Sequence, residues 1–339
     1  MKTPAKLPAR TGLLCLVLLP LLWMASAGEK GPFSSFVEIF PNGKIDWDKG
    51  YFYGTGKGYP HMNRGSKAGA LKVAQAHALS AILQVASGLR VDDRRTLQDL
   101  ERDKVVIQLR GLIFYEPFER SFAGEDREPF YRVTYRAPMR GVQGLTKKLL
   151  PYLRSGSGPE EVRARKEGTD ESEDAGPWLV LDARSLPAGE TILPAIFPSI
   201  LTERGETLSD LNTVDEGALA RRGMVRYVVS DVPSRDLVSL WIQGTPRPAG
   251  LLACLSPPAA WAEEGSPRKK RRGAFIIKDV QAAQGLMKTN LVISESDARE
   301  IRGEDASNKV LKNCRVIVIV SSSLGGIEGK TQDLLALYH

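Results

Sequence analysis

Two stretches of the chain alternate apolar and polar positions. Val105, Ile107 and Leu109 interleave with Val106, Gln108 and Arg110. Tyr131, Val133 and Tyr135 interleave with Arg132, Thr134 and Arg136. A period of two puts one set on a buried face and the other in solvent, so both stretches predict strands. A polar turn around Gly124-Glu125-Asp126 lies between them, and they are expected to pair as antiparallel neighbours. Upstream, Phe36 to Phe40 and Lys44 to Trp47 flank Pro41-Asn42-Gly43. Asn-Gly supplies the positive φ angles of a tight hairpin. A further extended piece from Gly50 to Thr55 runs into Gly54-Thr55-Gly56-Lys57-Gly58, read as a glycine-rich bend before a helix.

The period then changes. Leu71, Ala74, Ala78, Ile82 and Val85 recur every three or four residues, predicting a helix from about Ser66 to Ser87 with one apolar stripe. Alanines beside the stripe would let it lie close against a sheet, and Gly88 is expected to end it as a left-handed cap. A short helix near Val142, Leu145, Leu149 and Tyr152 closes this unit.

Ser155 to Pro177 holds almost no large apolar residue and is crowded with charge, Gly and Ser, so it reads as a flexible linker. Beyond it, strands are expected at Trp178 to Arg184, Ala195 to Thr202, Ala274 to Val280 and Asn290 to Ile293. Ser294 should cap a helix from Glu295 to Ile301, with acids at its positive end. Arg315 to Val320 is the most apolar run and is expected in the centre of a sheet. About 230–273 reads as a Pro-rich surface insertion. These elements predict the α+β class: two small sandwich domains, 28–154 and 178–325, each a largely antiparallel sheet packed with helices, and a tail at 326–339.

The beginning of the chain bears on compartment. Lys2, Lys6 and Arg10 precede an apolar run from Leu13 to Met24, and Ala25-Ser26-Ala27 follows. This is the three-part pattern of a secretory signal peptide over 1–27, so periplasmic export is expected, with outer-membrane association as an extension of it. The run is shorter than the roughly 20 residues a membrane span needs. Cys15 lies deep inside it, so no lipidation site is expected. The formal charge of +7 falls to +4 without the leader, far from the dense basic face of a nucleic-acid binder.

Little points to chemistry. Tyr51 stands where a phosphate loop needs its first glycine, and Gly58 replaces the metal-binding hydroxyl. His61 and His77 accompany no nucleophile elbow. No catalytic, metal or cofactor-binding residue is therefore nominated. Asp182 and Arg184 share one face of a strand end, as a polar site or a structural ion pair. Arg268, Lys269, Lys270, Arg271 and Arg272 form a basic run suited to weak, salt-screened contact with an anionic surface. Cys254 and Cys314, the only thiols outside the leader, are candidates for a disulfide in an oxidising space. Trp47, Tyr51, Phe52, Tyr53 and Tyr59 crowd one hairpin region, as interface aromatics or as sheet packing. With Gly54, Gly56, Gly58, Asp182 and Arg184, Trp47, Tyr51 and Tyr53 are the interaction or structural candidates.

Ile45-Asp46-Trp47, Gly54-Thr55-Gly56-Lys57-Gly58, the alanine-rich helix and Gly88-Leu89-Arg90-Val91 together resemble the N-terminal domain of flagellar assembly protein T and related bacterial envelope lipoproteins. The second half is similar to a domain that follows it in longer relatives, through Leu179-Val180-Leu181-Asp182-Ala183-Arg184, Leu193-Pro194-Ala195, Asn290 to Ser294 with Asp297-Ala298, and Cys314 to Val318. The resemblance implies a non-enzymatic envelope protein acting as an assembly or scaffold factor, with flagellar basal-body or other envelope proteins as partners. A periplasmic binder of a cell-wall fragment or small molecule is the other reading.

Overall fold

The computed structural model describes residues 34–102, 113–125, 128–154, 176–187, 190–234, 236 and 275–321. The leader with Cys15, the 105–110 strand, nearly all of the linker, Cys254, most of the 230–273 insertion, the basic run 268–272 and the tail lie outside them.

The chain opens with β1 (Ser34–Ser35), then β2 (Val37–Phe40), β3 (Gly43–Asp46) and β4 (Tyr51–Gly58). Helix α1 (Lys67–Ser87) follows, then the short α2 (Leu97–Arg102), β5 (Glu116–Glu125), β6 (Glu128–Pro138) and α3 (Leu145–Leu153). Strands β2 to β6 make one antiparallel sheet in the order β2-β3-β4-β6-β5. A hairpin at Pro41-Asn42-Gly43 joins β2 and β3, but neither Asn42 nor Gly43 takes the positive φ expected; Gly43 already belongs to β3, where an added Cβ would sit 2.1 Å from the Tyr53 carbonyl oxygen. β6 has β4 on one side and β5 on the other, so the partner expected for it at 105–110 is displaced by Glu116–Glu125. The displaced expectation rested on cleaner alternation, whereas β5, the outermost strand among the described residues, leaves Phe118 and Phe122 half exposed.

The stretch read as a glycine-rich bend is strand. Gly54, Gly56 and Gly58 all lie in β4 and face α1. A Cβ on Gly56 would sit 2.2 Å from the Ala74 carbonyl oxygen; one on Gly58 would sit 1.9 Å from that of Ala70. Glycines every second residue thus meet Ala70, Ala74 and Ala78 every fourth, and the helix backbone rests almost on the strand. Ser66 caps the helix by accepting a hydrogen bond from the Gly69 amide at 3.0 Å. Gly88 ends it in ordinary right-handed geometry, φ −80°, not as the left-handed cap expected.

The second half comprises β7 (Trp178–Asp182), β8 (Ile200–Thr202), β9 (Thr207–Ser209), α4 (Glu216–Arg222), β10 (Arg226–Val229), β11 (Phe275–Asp279), β12 (Ala282–Gln284), β13 (Asn290–Ile293), α5 (Glu295–Asn308) and β14 (Val316–Val320). The α+β class holds, with one difference of topology. The larger sheet, in the order β1-β10-β14-β7-β11, is parallel from β10 to β11 and antiparallel only at β1. Continuous burial explains it: β14 is apolar and buried at all five positions, the pattern of a strand covered on both faces. Strands β12, β13, β8 and β9 form a smaller mixed sheet. The Ser294 cap is present, its Oγ accepting from the Asp297 amide, and α5 runs past Ile301 to Asn308.

The two halves meet closely. β1 precedes the first sheet in sequence yet pairs with β10 of the second-half sheet. One apolar core runs from Phe36, Ile45 and Leu89 to Leu179, Leu219 and Val318. Buried ion pairs sit in it: Asp48 Oδ1 accepts from Arg226 Nε at 2.7 Å, and Arg90 reaches both Glu38 and the Pro194 carbonyl. Among the described residues no helix is long and apolar enough to cross a membrane.

Candidate functional site

Helix α1 covers one face of the first sheet, and the residues on the other face form the candidate site. Cross-strand register sets its rows. Lys44 lies opposite Tyr53, Tyr53 opposite Arg136, and Arg136 opposite Glu116. The next rows pair Thr55 with Thr134, whose hydroxyls are 3.0 Å apart, and Lys57 with Arg132. Cations and rings alternate across this face. Lys44 Nζ lies 5.0 Å from the Tyr53 ring centre, Lys57 Nζ 4.9 Å from Phe130, and the Arg132 guanidinium 5.4 Å from Phe130. The Arg136 guanidinium sits 4.8 Å from Tyr51 and 5.2 Å from Phe118. Each cation–ring contact of this kind contributes about 0.5–1 kcal/mol when exposed. Among the described residues four cations thus stand against three carboxylates, Glu116, Glu119 and Asp46, the last opposite Tyr51.

Arg136 Nε donates to Glu116 Oε1 at 2.6 Å, and that bond, together with the charge of Glu116, raises the guanidinium above its already high ordinary value. Burial, with Asp46 nearby, pushes the Tyr53 phenol up, so it stays neutral at physiological pH. β3 reaches no further along β4 than the Gly43–Gly54 pair. Beyond that point a groove of about 1160 Å³ opens between α1 and this face. His77 forms one wall through a 3.0 Å hydrogen bond from its ring to the Lys57 carbonyl, and Ile39, Met62 and Phe118 form an apolar rim. Met62 is 72 % exposed and Phe118 48 %.

The structure distributes the sequence candidates unevenly. Tyr51 and Tyr53 belong to this face. Gly54, Gly56 and Gly58 lie in the same strand and seat α1 against it. Trp47 is 3 % exposed and sits between the halves: its indole donates to Glu38 Oε2 at 2.9 Å, its ring meets Tyr227 edge-on at 6.1 Å, and Arg90 lies over it. Burial and a paired N–H explain why it is packing and not a contact surface.

Asp182 and Arg184 lie apart from this face, at the carboxyl end of the parallel sheet. Arg184 Nε donates to Asp182 Oδ1 at 2.8 Å, and its other nitrogens reach the Ser230 and Val232 carbonyls and the Ser234 hydroxyl. Burial alone would raise the Asp182 pKa, but the bonds from Arg184 and Ser234 outweigh it and hold the carboxyl below its usual range. Cys254 lies outside the described residues; Cys314 stands as a free, buried thiol. Burial pushes its pKa up to about 12.

The sequence reading passed over Lys44, Lys57, Phe118, Arg132 and Arg136 as a group. Alternation of Arg132, Thr134 and Arg136 marked the outward face of β6. What could not be read was that β5 would lay Phe118 beside it.

Residues 178–240 and 261–322 match the family model of the second domain of Treponema pallidum Tp0624, so the second half is similar to a domain of a bacterial protein family. The match passes over 241–260, inside the stretch read as an insertion. No curated protein matches the chain.

Proposed function

We propose that this is an exported bacterial envelope protein that works as an assembly or scaffold factor, without catalysis of its own, by binding a partner on the face of its first sheet opposite α1. The observation that supports it most is that face itself: four cations set on aromatic rings beside an apolar-rimmed groove, on a rigid antiparallel sheet. Preorganised aromatic and arginine side chains are what interfaces use. The leader pattern supports a periplasmic role, with outer-membrane association as an extension. Its resemblance to flagellar assembly protein T makes the basal body the first assembly to examine. The second reading, a periplasmic binder of a cell-wall fragment or small molecule, draws on the groove of about 1160 Å³, which has room for a small ligand and is somewhat larger than a usual ligand pocket.

The test is localisation with cross-linking in the native cell, comparing a tagged wild-type chain with a tagged Arg136→Glu, Lys44→Glu chain. Recovery from the periplasmic or outer-membrane fraction with a discrete partner, lost in the variant, is the expected result. A cytoplasmic location would overturn the export reading. A partner equally retained by the variant would move the interface off this face.

A further inference from the structure

We infer that the groove beside β4 takes an extended acidic polypeptide segment of the partner, a conclusion that rests on the binding reading above. Three observations converge on that occupant. Charge complementarity is the first: Lys44, Lys57 and Arg132 line the groove against the single carboxylate of Glu119. An apolar rim is the second, since Ile39, 47 % exposed, stands with Met62 and Phe118 where alternate side chains of an extended segment would rest.

The third concerns the rings. A single-stranded nucleic acid needs free aromatic faces on which bases stack. Here the rings are engaged: Phe130 has Lys57 and Arg132 against it, Tyr53 has Lys44 and the edge of Phe118, and Tyr51 has Arg136. Cations held on rings present charge outward at fixed positions, which suits carboxylates carried on a chain. Thr55 and Thr134 supply hydroxyls on the groove floor for the backbone between them.

The experiment uses the full chain and fluorescence anisotropy at low salt. Three labelled probes are compared: a twelve-residue peptide alternating Glu and Val, its Lys–Val counterpart, and a twelve-nucleotide oligothymidine. The Glu–Val peptide should bind best, and Lys57→Glu with Arg132→Glu should weaken it about ten-fold or more, as reversed charges at a groove do. The exposed Lys312→Glu should leave it unchanged, and circular dichroism should show both variants folded. Tighter binding of the oligothymidine or of the Lys–Val peptide would overturn the inference, as would a Glu–Val affinity indifferent to the double variant. Should the Glu–Val peptide fail to bind while the cellular cross-link to the partner still depends on Lys44 and Arg136, the acidic-segment inference falls and the binding reading stands. Loss of both would sink the two together.

Discussion

Replacing Gly56 with Ala tests how the first half is built. The added Cβ would lie 2.2 Å from the Ala74 carbonyl oxygen, 2.4 Å from the Ala78 amide nitrogen and 2.8 Å from His77 Cβ. The two closest of these are helix backbone, which has no rotamer into which to retreat. Helix α1 must therefore lift by roughly 1 Å to restore ordinary contact, and a gap of that size forfeits a quarter to a half of each contact's dispersion energy along the seam. Overpacking of this kind costs about 1–3 kcal/mol, and the lost seam contacts put the expected destabilisation toward the upper end. Urea denaturation followed by circular dichroism measures it. Gly303→Ala is the matched control, because Gly303 lies inside α5 with no atom within 4 Å of its added Cβ. There alanine should stabilise, by about 0.5–1 kcal/mol, through helix propensity alone. If Gly56→Ala unfolds within about 0.5 kcal/mol of the parent, a margin typical of neutral surface substitutions, then α1 does not rest on β4 as described.

Other expectations follow from the same geometry. Asp48→Ala removes a buried, charge-assisted hydrogen bond from Arg226 and should cost about 1.5–3 kcal/mol in the same urea assay, more than an exposed-pair variant such as Glu206→Ala. Because the Asp182 carboxyl is held below its unfolded value, its contribution is present above that value and is lost as pH falls through the folded one. Arg184→Ala should accordingly narrow the stability difference between about pH 6 and pH 2, read from urea midpoints at each pH. Cys314, with its thiol pushed up to about 12, should resist iodoacetamide in the native protein. It should become modified in the unreduced, denatured chain, as peptide mass spectrometry would show; absence of modification there would restore the pairing with Cys254.

Local signals were legible where one residue type has one physical use. Ser294 announced its cap and Arg315 to Val320 a central strand, while Asn42-Gly43 marked the place of a hairpin but not its backbone, since neither residue takes a positive φ. Gly54, Gly56 and Gly58 were misread because glycine has no strand preference of its own. Their reason for being in a strand lies in the alanines of α1, twelve residues and more downstream. Beyond Ile301, α5 continues through polar residues that carry no apolar period, so its end was invisible. Trp47 was open to two readings, interface or packing, because only the fold brings Glu38 and Tyr227 around it. The site suffered most, since its cations come from β3, β4 and β6 and become one surface only through sheet register.

The pairing of β1 with β10 bears on how the gene could be divided. Ser34 meets Val229 roughly 200 residues downstream, a separation that slows folding, because the loop must close before the contact repays it. A fragment ending near residue 154 would present Asp48, Glu38 and one side of Trp47 to water with Arg226 and Tyr227 missing. A fragment starting at 178 would lose the strand that covers the outer edge of β10. The seam near 155–177 that invites truncation is therefore a poor place to cut, and neither piece is expected to keep the stability of the whole.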